Sequence, residues 1–226
     1  MIENYSHYFK NKIKLFLTCS DKYWDEIDSV RENKISDYIQ YEGSKVIMPN
    51  QIHGDKIVVA SNNFDRNECD AIIFNGKSNL VGAINVADCM PICIYDSNNN
   101  YIALVHSGWK GTLKKITIKT ICKMLDLGSD RGSLKIFIGP SIRGCCYQVG
   151  ESFVSDFSDS CITSKGGSFY LDLASQLLLD LKNENIPKNN IFMNESCTFD
   201  SLNYHSFRRD GGLSGRMSLI AYMKNG

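Results

Sequence analysis

Apolar positions recur along this chain at two spacings, and the alternation between them predicts a mixture of short strands and helices. Weak alternation over Ile13-Lys-Leu-Phe-Leu-Thr-Cys19 predicts a strand, after which Ser20-Asp21 can cap a helix carrying Trp24, Ile27, Val30, Ile35 and Tyr38 on one side. Residues 45–48 and 56–60 read as strands on either side of His53. Short β-rich runs follow at 70–74, 81–86 and 91–95, and Asp96-Ser-Asn-Asn-Asn100 is a turn leading into a strand at 101–106. From Thr112 to Leu127 the spacing becomes helical through Ile116, Thr117, Thr120, Met124 and Leu127, with Gly128 as the stop. A strand at 134–138 runs into Gly139-Pro-Ser-Ile142. Helices are predicted over 150–157 and 171–185, the second with Leu173, Leu177, Leu178 and Leu181 on one face, and a strand at 190–193 precedes a closing run at 216–223. The regular strand–helix–strand rhythm of a doubly wound sheet is missing, so mixed sheets covered by helices are expected. Neither a repeat nor a low-complexity linker divides the chain, which reads as a single domain over 1–226.

Composition narrows the function without naming it. At 226 residues and 43% hydrophobic content the chain can bury a core of its own. Twenty-five basic residues balance twenty-five acidic ones, so no net field selects nucleic acid or an anionic membrane, and neither is expected as a partner. The first ten residues lack a signal-peptide pattern and no apolar run approaches bilayer length, so a cytoplasmic location is expected. Nine cysteines in a chain of this length, with nothing marking it for secretion, are expected to be free thiols. Cys19, Cys93 and Cys122 fall in apolar patterns that predict buried, inert sulfur, while Cys69 and Cys161 sit in no informative pattern. Adjacent Cys145 and Cys146 lack the Cys-x-x-Cys spacing of a structural zinc site, which occurs nowhere in the chain. The His-x-Glu with Pro-Cys-x-x-Cys signature of nucleobase deaminases is absent as well.

Candidate chemistry concentrates in three segments: Gln51-Ile-His-Gly54, Ala87-Asp-Cys-Met-Pro91 and Val105-His-Ser-Gly-Trp-Lys-Gly-Thr112. Taken singly, His53 reads as a surface-loop histidine, His106 as a hydrogen-bonded histidine at a strand end, and Cys89 as a core thiol. Taken together they supply a thiolate and two imidazoles, three of the four ligands of a zinc ion, with the fourth position open as in catalytic sites. The same residues permit a metal-free mechanism in which Cys89 is a nucleophile activated by His106 or His53, and sequence separation does not choose between the two. A non-catalytic zinc-stabilised interaction domain would instead close the shell with a fourth ligand such as Cys197 or His205.

Eight ordered motifs give the chain a family likeness. Gln51-Ile-His-Gly54, Cys69-Asp-Ala71, Ala87-Asp-Cys-Met-Pro91, His106-Ser-Gly-Trp-Lys-Gly-Thr112, Ile138-Gly-Pro-Ser-Ile142, Cys146-Tyr-Gln-Val-Gly150, Cys197-Thr198, and Ser206-Phe-Arg-Arg-Asp210 with Gly215-Arg216 together resemble the laccase-domain family of small bacterial proteins. That family was first called polyphenol oxidases and later described as purine nucleoside phosphorylases with adenosine deaminase activity. The resemblance puts its metal-binding His, Cys and His on His53, Cys89 and His106. It implies an α+β fold of two mixed sheets packed face to face between outer helices, in α/β/β/α layers. It implies purine nucleosides and phosphate as substrates: adenosine, inosine or methylthioadenosine would give free base and sugar 1-phosphate, and adenosine would also be deaminated. Relatives have been assigned a peptidoglycan-precursor amidase role too, which keeps a zinc or Cys-His amidohydrolase open.

The expected cofactor is zinc, which can lower the pKa of its water toward ~7 for attack on adenosine. Copper is the alternative metal, although the His-x-His motifs of true multicopper oxidases are missing. Cys89, His106 and Asp88 are the expected catalytic residues; Asp88 or Asp70 would deliver a proton to the leaving amine, or serve as a structural cap. Lys110, Arg208, Arg209 and Arg216 are the expected phosphate-binding residues. Family members usually carry arginine at Lys110 and glutamate at Gln148; lysine keeps the charge but gives up bidentate geometry. Oligomeric state stays open, monomer or small homo-oligomer.

Overall fold

The computed structural model describes residues 1–21, 23–24 and 28–224. Two mixed sheets carry the fold. One has five strands in the order β1 (Ile2–Asn4), β2 (Lys14–Thr18), β14 (Met217–Tyr222), β6 (Leu80–Val86) and β3 (Lys45–Ile47). The other has six, in the order β13 (Ile191–Met193), β9 (Leu134–Ile138), β7 (Met90–Asp96), β8 (Tyr101–Ser107), β5 (Ala71–Asn75) and β4 (Ile57–Val59). Edge pairs β3–β6, β4–β5 and β13–β9 are parallel, and the interior ladders of both sheets are antiparallel. Helix α1 (Asp28–Ile39) covers the outer face of the first sheet; α3 (Ile116–Asp126) and α4 (Leu173–Asn183) cover that of the second. These are the expected α/β/β/α layers.

Because both faces of the central strands are covered, those strands are apolar at nearly every position, and the period of two sorts their side chains between layers. On β5, Ile72 and Phe74 point between the sheets while Ala71 and Ile73 point to the helices. On β14, Met217, Leu219 and Ala221 enter the inter-sheet core, and Ile220 and Tyr222 meet Trp24 and Ile35 on the far side. Gly82 has a specific reason: a Cβ there would lie 2.5 Å from Cε1 of Phe74, so the glycine makes room for a ring crossing from the other sheet.

Several boundaries differ from the sequence expectation. The helix expected over 112–127 is two helices, α2 (Trp109–Leu113) and α3, because Lys115 takes a left-handed backbone with φ 57° and breaks the hydrogen-bond ladder. The helix expected over 150–157 is a single 3-10 turn at Glu151–Phe153; Ser152, Ser155, Asp156 and Ser158 are residue types of low helix propensity, and only the apolar pair Phe153 and Phe157 mimicked helical spacing. Residues 171–185 divide between the end of a strand and α4, whose N-cap Asp172 accepts from the amides of Ala174 and Ser175. That strand, β12 (Ser168–Leu171), forms with β10 (Gln148–Val149) and β11 (Ile162–Lys165) a small three-stranded sheet that the apolar pattern did not disclose. Ile27, assigned to the first helix, lies outside the described residues. Cys19 and Cys93 are buried as expected, but Cys122 is exposed on α3. No helix among the described residues is long and apolar enough to cross a membrane.

Candidate active site

One buried carboxylate organises the site. Asp70 immediately precedes β5 and is fully buried, where an isolated charge would be costly. It is fully hydrogen-bonded instead. Oδ1 accepts from the His53 amide at 2.9 Å and pairs with Nδ1 of His106 at 2.8 Å; Oδ2 accepts from the amides of Ile52 at 3.3 Å and Gly54 at 2.7 Å. Burial acts to raise the Asp70 carboxyl, but His106 and the amides of Gly54 and His53 outweigh it and hold the group below its ordinary value. The three successive amides wrap the carboxylate because His53 sits in the left-handed region at φ 57°, a conformation uncommon for a side chain of this size. Gln51 anchors the start of the same loop: its side-chain amide donates to the Asn85 carbonyl and accepts from the Asn85 amide.

His106 stands near the end of β8, inside the sheet, and Cys89 in the tight turn between β6 and β7. Gly108, the N-cap of α2, lets the sulfur in; a Cβ there would come within 2.7 Å of Cys89 Sγ. The rings of His53 and His106 meet edge to face with centroids 4.8 Å apart. Ligand atoms of His53, Cys89 and His106 all lie within 4.8 Å of one another. Burial pushes the Cys89 thiol up, but the imidazoles of His106 and His53 bring it down to about 6. Burial likewise works against a charged His106, and the Cys89 sulfur and Asp70 carboxylate raise it to about 9.

The donor set fits a metal ion. With Nδ1–H of His106 donated to the Asp70 carboxylate, Nε2 is left to ligate, the arrangement found behind metal-bound histidines generally. One thiolate and two imidazoles suit zinc, and also copper. Cys197 does not complete the shell, because it belongs to a second group with Cys145 and Cys146. Three candidate metal ligands therefore face a cavity of about 550 Å³.

The cavity wall includes Asp28, Gln51, Asn85, Asp88, Trp109, Tyr147, Phe207, Arg208 and Arg216 with the three ligands. Of the expected phosphate-binding residues, Arg208 and Arg216 thus reach the cavity, and Lys110 and Arg209 do not. Arg208 is exposed, lies over the Tyr147 ring at 5.0 Å and donates to the Gln148 carbonyl. Arg216 donates to the carbonyls of Ser214 and Gly215 and faces the Phe207 ring at 5.7 Å. Lys110 is exposed beside Trp109. Arg209 spends its guanidinium on the carbonyls of Thr198, Phe199, Ser201 and Tyr204 and on Asp210.

Asp88 holds the site together from the other side. It has φ 80°, its Oδ1 accepts from Thr198 Oγ1 at 2.6 Å, and its Oδ2 accepts from the Arg208 amide at 2.6 Å, near the start of α5 (Phe207–Asp210). Its carboxylate is thereby committed to positioning Arg208 and the Cys89 turn. Asn85, Asp28 and the aromatic wall carry no sequence signal of this role. Trp109, Tyr147 and Phe207 fall inside the ordered motifs, but only spatial convergence distinguishes a wall residue from a core one.

Fold and cavity together define a class: a single-domain α/β/β/α protein with a His-Cys-His metal-type cluster set at strand ends and open to an aromatic, arginine-bearing cavity. The chain belongs to the family described as multi-copper polyphenol oxidoreductase laccase, whose model matches residues 12–224. A purine nucleoside phosphorylase of Clostridium acetobutylicum is 39% identical over 175 residues, covering 74% of this chain and 72% of the relative. An adenosine deaminase from an unknown prokaryotic organism is 28% identical over 198 residues, covering 79% of this chain and 75% of the relative. The fold matches the crystal structure of the Bacillus licheniformis hypothetical protein YfiH with a TM-score of 0.84 at 23% identity, over 95% of this chain and 94% of that one.

Proposed function

We propose that the protein is a zinc-dependent purine nucleoside phosphorylase that also deaminates adenosine. The observation that carries this reading is the convergence of His53, Cys89 and His106 on a cavity that also presents aromatic rings and two arginines. The names of the relatives from Clostridium acetobutylicum and the unknown prokaryote support the two activities.

Zinc, or copper as the alternative, would be held by His53, Cys89 and His106 and would supply Lewis acidity and a lowered pKa for water. Trp109, Tyr147 and Phe207 offer faces on which a flat purine can stack. Arg208 and Arg216 offer positive charge for the phosphate that attacks the sugar carbon, where an oxocarbenium-like centre develops as the base departs. His106, backed by Asp70, is held in one orientation and tautomer. Asp88 acts as a positioning residue through Arg208 and the Cys89 turn.

A second reading rests on the Cys89–His106 pair, whose lowered thiol and raised imidazole are what a cysteine hydrolase uses for nucleophilic attack. One experiment separates the two: metal analysis of the purified protein, with products from adenosine identified with and without phosphate, before and after chelation. Free adenine only with phosphate, inosine without it, and loss of both on chelation are expected. Metal-loaded protein yielding neither product would refute the nucleoside reading, and full activity after verified metal removal would favour the thiol nucleophile.

A further inference from the structure

A second sulfur cluster lies apart from this site. Cys145 and Cys146 follow the Gly139–Ile142 turn, and Cys197 comes from a segment more than fifty residues later in the chain. A parallel bridge between Ser141 and Cys197, with the Thr198 amide donating to the Ser141 carbonyl at 3.1 Å, lays the two segments side by side. The sulfurs of Cys145 and Cys146 are 3.3 Å apart, and all three sulfurs lie within 4.8 Å of one another. Cys145 is exposed, while Cys146 and Cys197 are half-buried. Among the described residues no histidine or carboxylate joins the group as a fourth ligand.

Beside the sulfurs is a buried cation. Arg143 is only 8% exposed, yet its Nε has no hydrogen-bond partner and its terminal nitrogens reach only the Met193 sulfur and the Asn194 carbonyl. Among the described residues it has no carboxylate within ion-pair distance, and its electrostatic neighbours are Asp172, Cys197, Glu195 and Cys145. A buried guanidinium left this way is stabilised by negative charge gathered at the sulfurs.

We propose that Cys145, Cys146 and Cys197 form a three-thiolate site for a soft, low-coordinate metal ion, Cu(I). Three ligands at ~2.3 Å from a central ion in a trigonal plane stand ~4 Å from one another, and the sulfurs here bracket that spacing, 3.3 Å apart in one pair and within 4.8 Å throughout. Thiolate donors without nitrogen or oxygen partners select Cu(I) over harder ions, and a structural zinc site would need a fourth protein ligand. Cu(I) with three thiolates carries a charge of −2, which Arg143 offsets. The site is distinct from the His53–Cys89–His106 cluster and does not depend on the nucleoside reading.

The test uses the full-length chain with Cys89→Ser, which removes the sulfur of the first site, titrated anaerobically with Cu(I) against the chromophoric chelator bicinchoninate. One equivalent of Cu(I) is expected to be retained, with X-ray absorption showing three sulfur neighbours. Adding Cys197→Ser, or separately the exposed Cys145→Ser, should weaken binding by roughly 100-fold or more, beyond the 10–100-fold that loss of an outer partner alone costs. Circular dichroism checks folding, and Cys145→Ser keeps the test decisive if the Cys197 variant misfolds. Binding unchanged in a folded variant, a site with two sulfurs only, no retained copper, or a preference for Zn(II) over Cu(I) would each overturn the proposal.

Discussion

Replacing Asp70 by asparagine keeps the shape of the side chain and removes the charge on which both histidines depend. The amide nitrogen must occupy one of the two oxygen positions. In place of Oδ2 it faces the amides of Ile52 and Gly54, donor against donor; in place of Oδ1 it faces the His53 amide and Nδ1 of His106. The first orientation loses two hydrogen bonds to a charged acceptor; the second loses that of the His53 amide and exchanges the charged His106 bond for a weaker neutral one of reversed direction. At ~1.5–3 kcal/mol each, with water able to reach the exposed Ile52 and His53, the loss of stability should be about 3 kcal/mol. In the second orientation Nδ1 of His106 becomes an acceptor, the proton moves to Nε2, and the ligand is blocked; metal affinity should fall by roughly 10–100-fold. The assay is urea unfolding with metal chelated, so that linkage does not enter, followed by zinc competition on the folded variant. The sign with pH also follows. The folded Asp70 carboxyl titrates below its ordinary value, so its stabilisation is complete above the unfolded pKa of about 3.9 and disappears as pH falls through the lower folded value. Asp70→Asn should lose that part of the acid dependence. A variant destabilised by less than ~1 kcal/mol that binds zinc within twofold of wild type would refute an orienting role for Asp70.

Four further substitutions separate steric, electrostatic and binding roles. Gly108 has a backbone any residue can adopt, φ −81° and ψ −174°, so Gly108→Ala acts through its methyl group on the Cys89 sulfur 2.7 Å away. Metal content and activity should drop at least tenfold for a stability change of ~1–3 kcal/mol, and retained stoichiometry would show that the sulfur position is uncritical. Burial pushes the Asp180 carboxyl up despite Lys115 and Gln176, so the folded protein holds that proton longer than the unfolded chain. Stability is then complete below the unfolded value of about 3.9 and declines as pH rises through the raised one; thermal melts of Asp180→Asn should lack this decline, and a variant less stable than wild type at pH 7 would contradict it. Arg209→Ala orphans four carbonyls and should cost about 2–4 kcal/mol, whereas exposed Arg208→Ala should stay within ~0.5 kcal/mol and raise KM for phosphate; the reverse pattern would exchange their roles.

Strands buried on both faces were legible in the sequence because their runs are apolar and bounded by turn residues, as with Ile92 to Tyr95 before Asp96-Ser-Asn-Asn-Asn100. Edge strands 45–47, 57–59 and 191–193 were legible too, but the small third sheet was not. Gln148–Val149 and Ile162–Lys165 are short and half-exposed, so pairing rather than pattern makes them strands. The three metal-type ligands stood out as residue types, and their convergence depends on a carboxylate 36 residues from one of its partners, information no local window contains. The arginines divided in the same way: Arg208 and Arg209 are neighbours in sequence, but on so short a helix one lines the cavity and the other binds carbonyls of the 198–204 segment. The sulfur trio was invisible as a group, since Cys145 and Cys146 look unsuited to a metal until Cys197 is laid beside them.

The three candidate ligands of the main site are held by devices of unequal stiffness. His106 lies within an interior strand of the sheet, 3% exposed, with its ring fixed by Asp70; Cys89 sits in a turn clamped by Asp88. Both are anchored by buried hydrogen bonds. His53 is exposed on a loop whose left-handed backbone is maintained by the same Asp70 carboxylate through three amides. Loss of that carboxylate would therefore free His53, misorient His106 and cost the fold about 3 kcal/mol at once. Site integrity and sheet stability are coupled in this protein because one buried side chain at the start of β5 joins the loop to the strand.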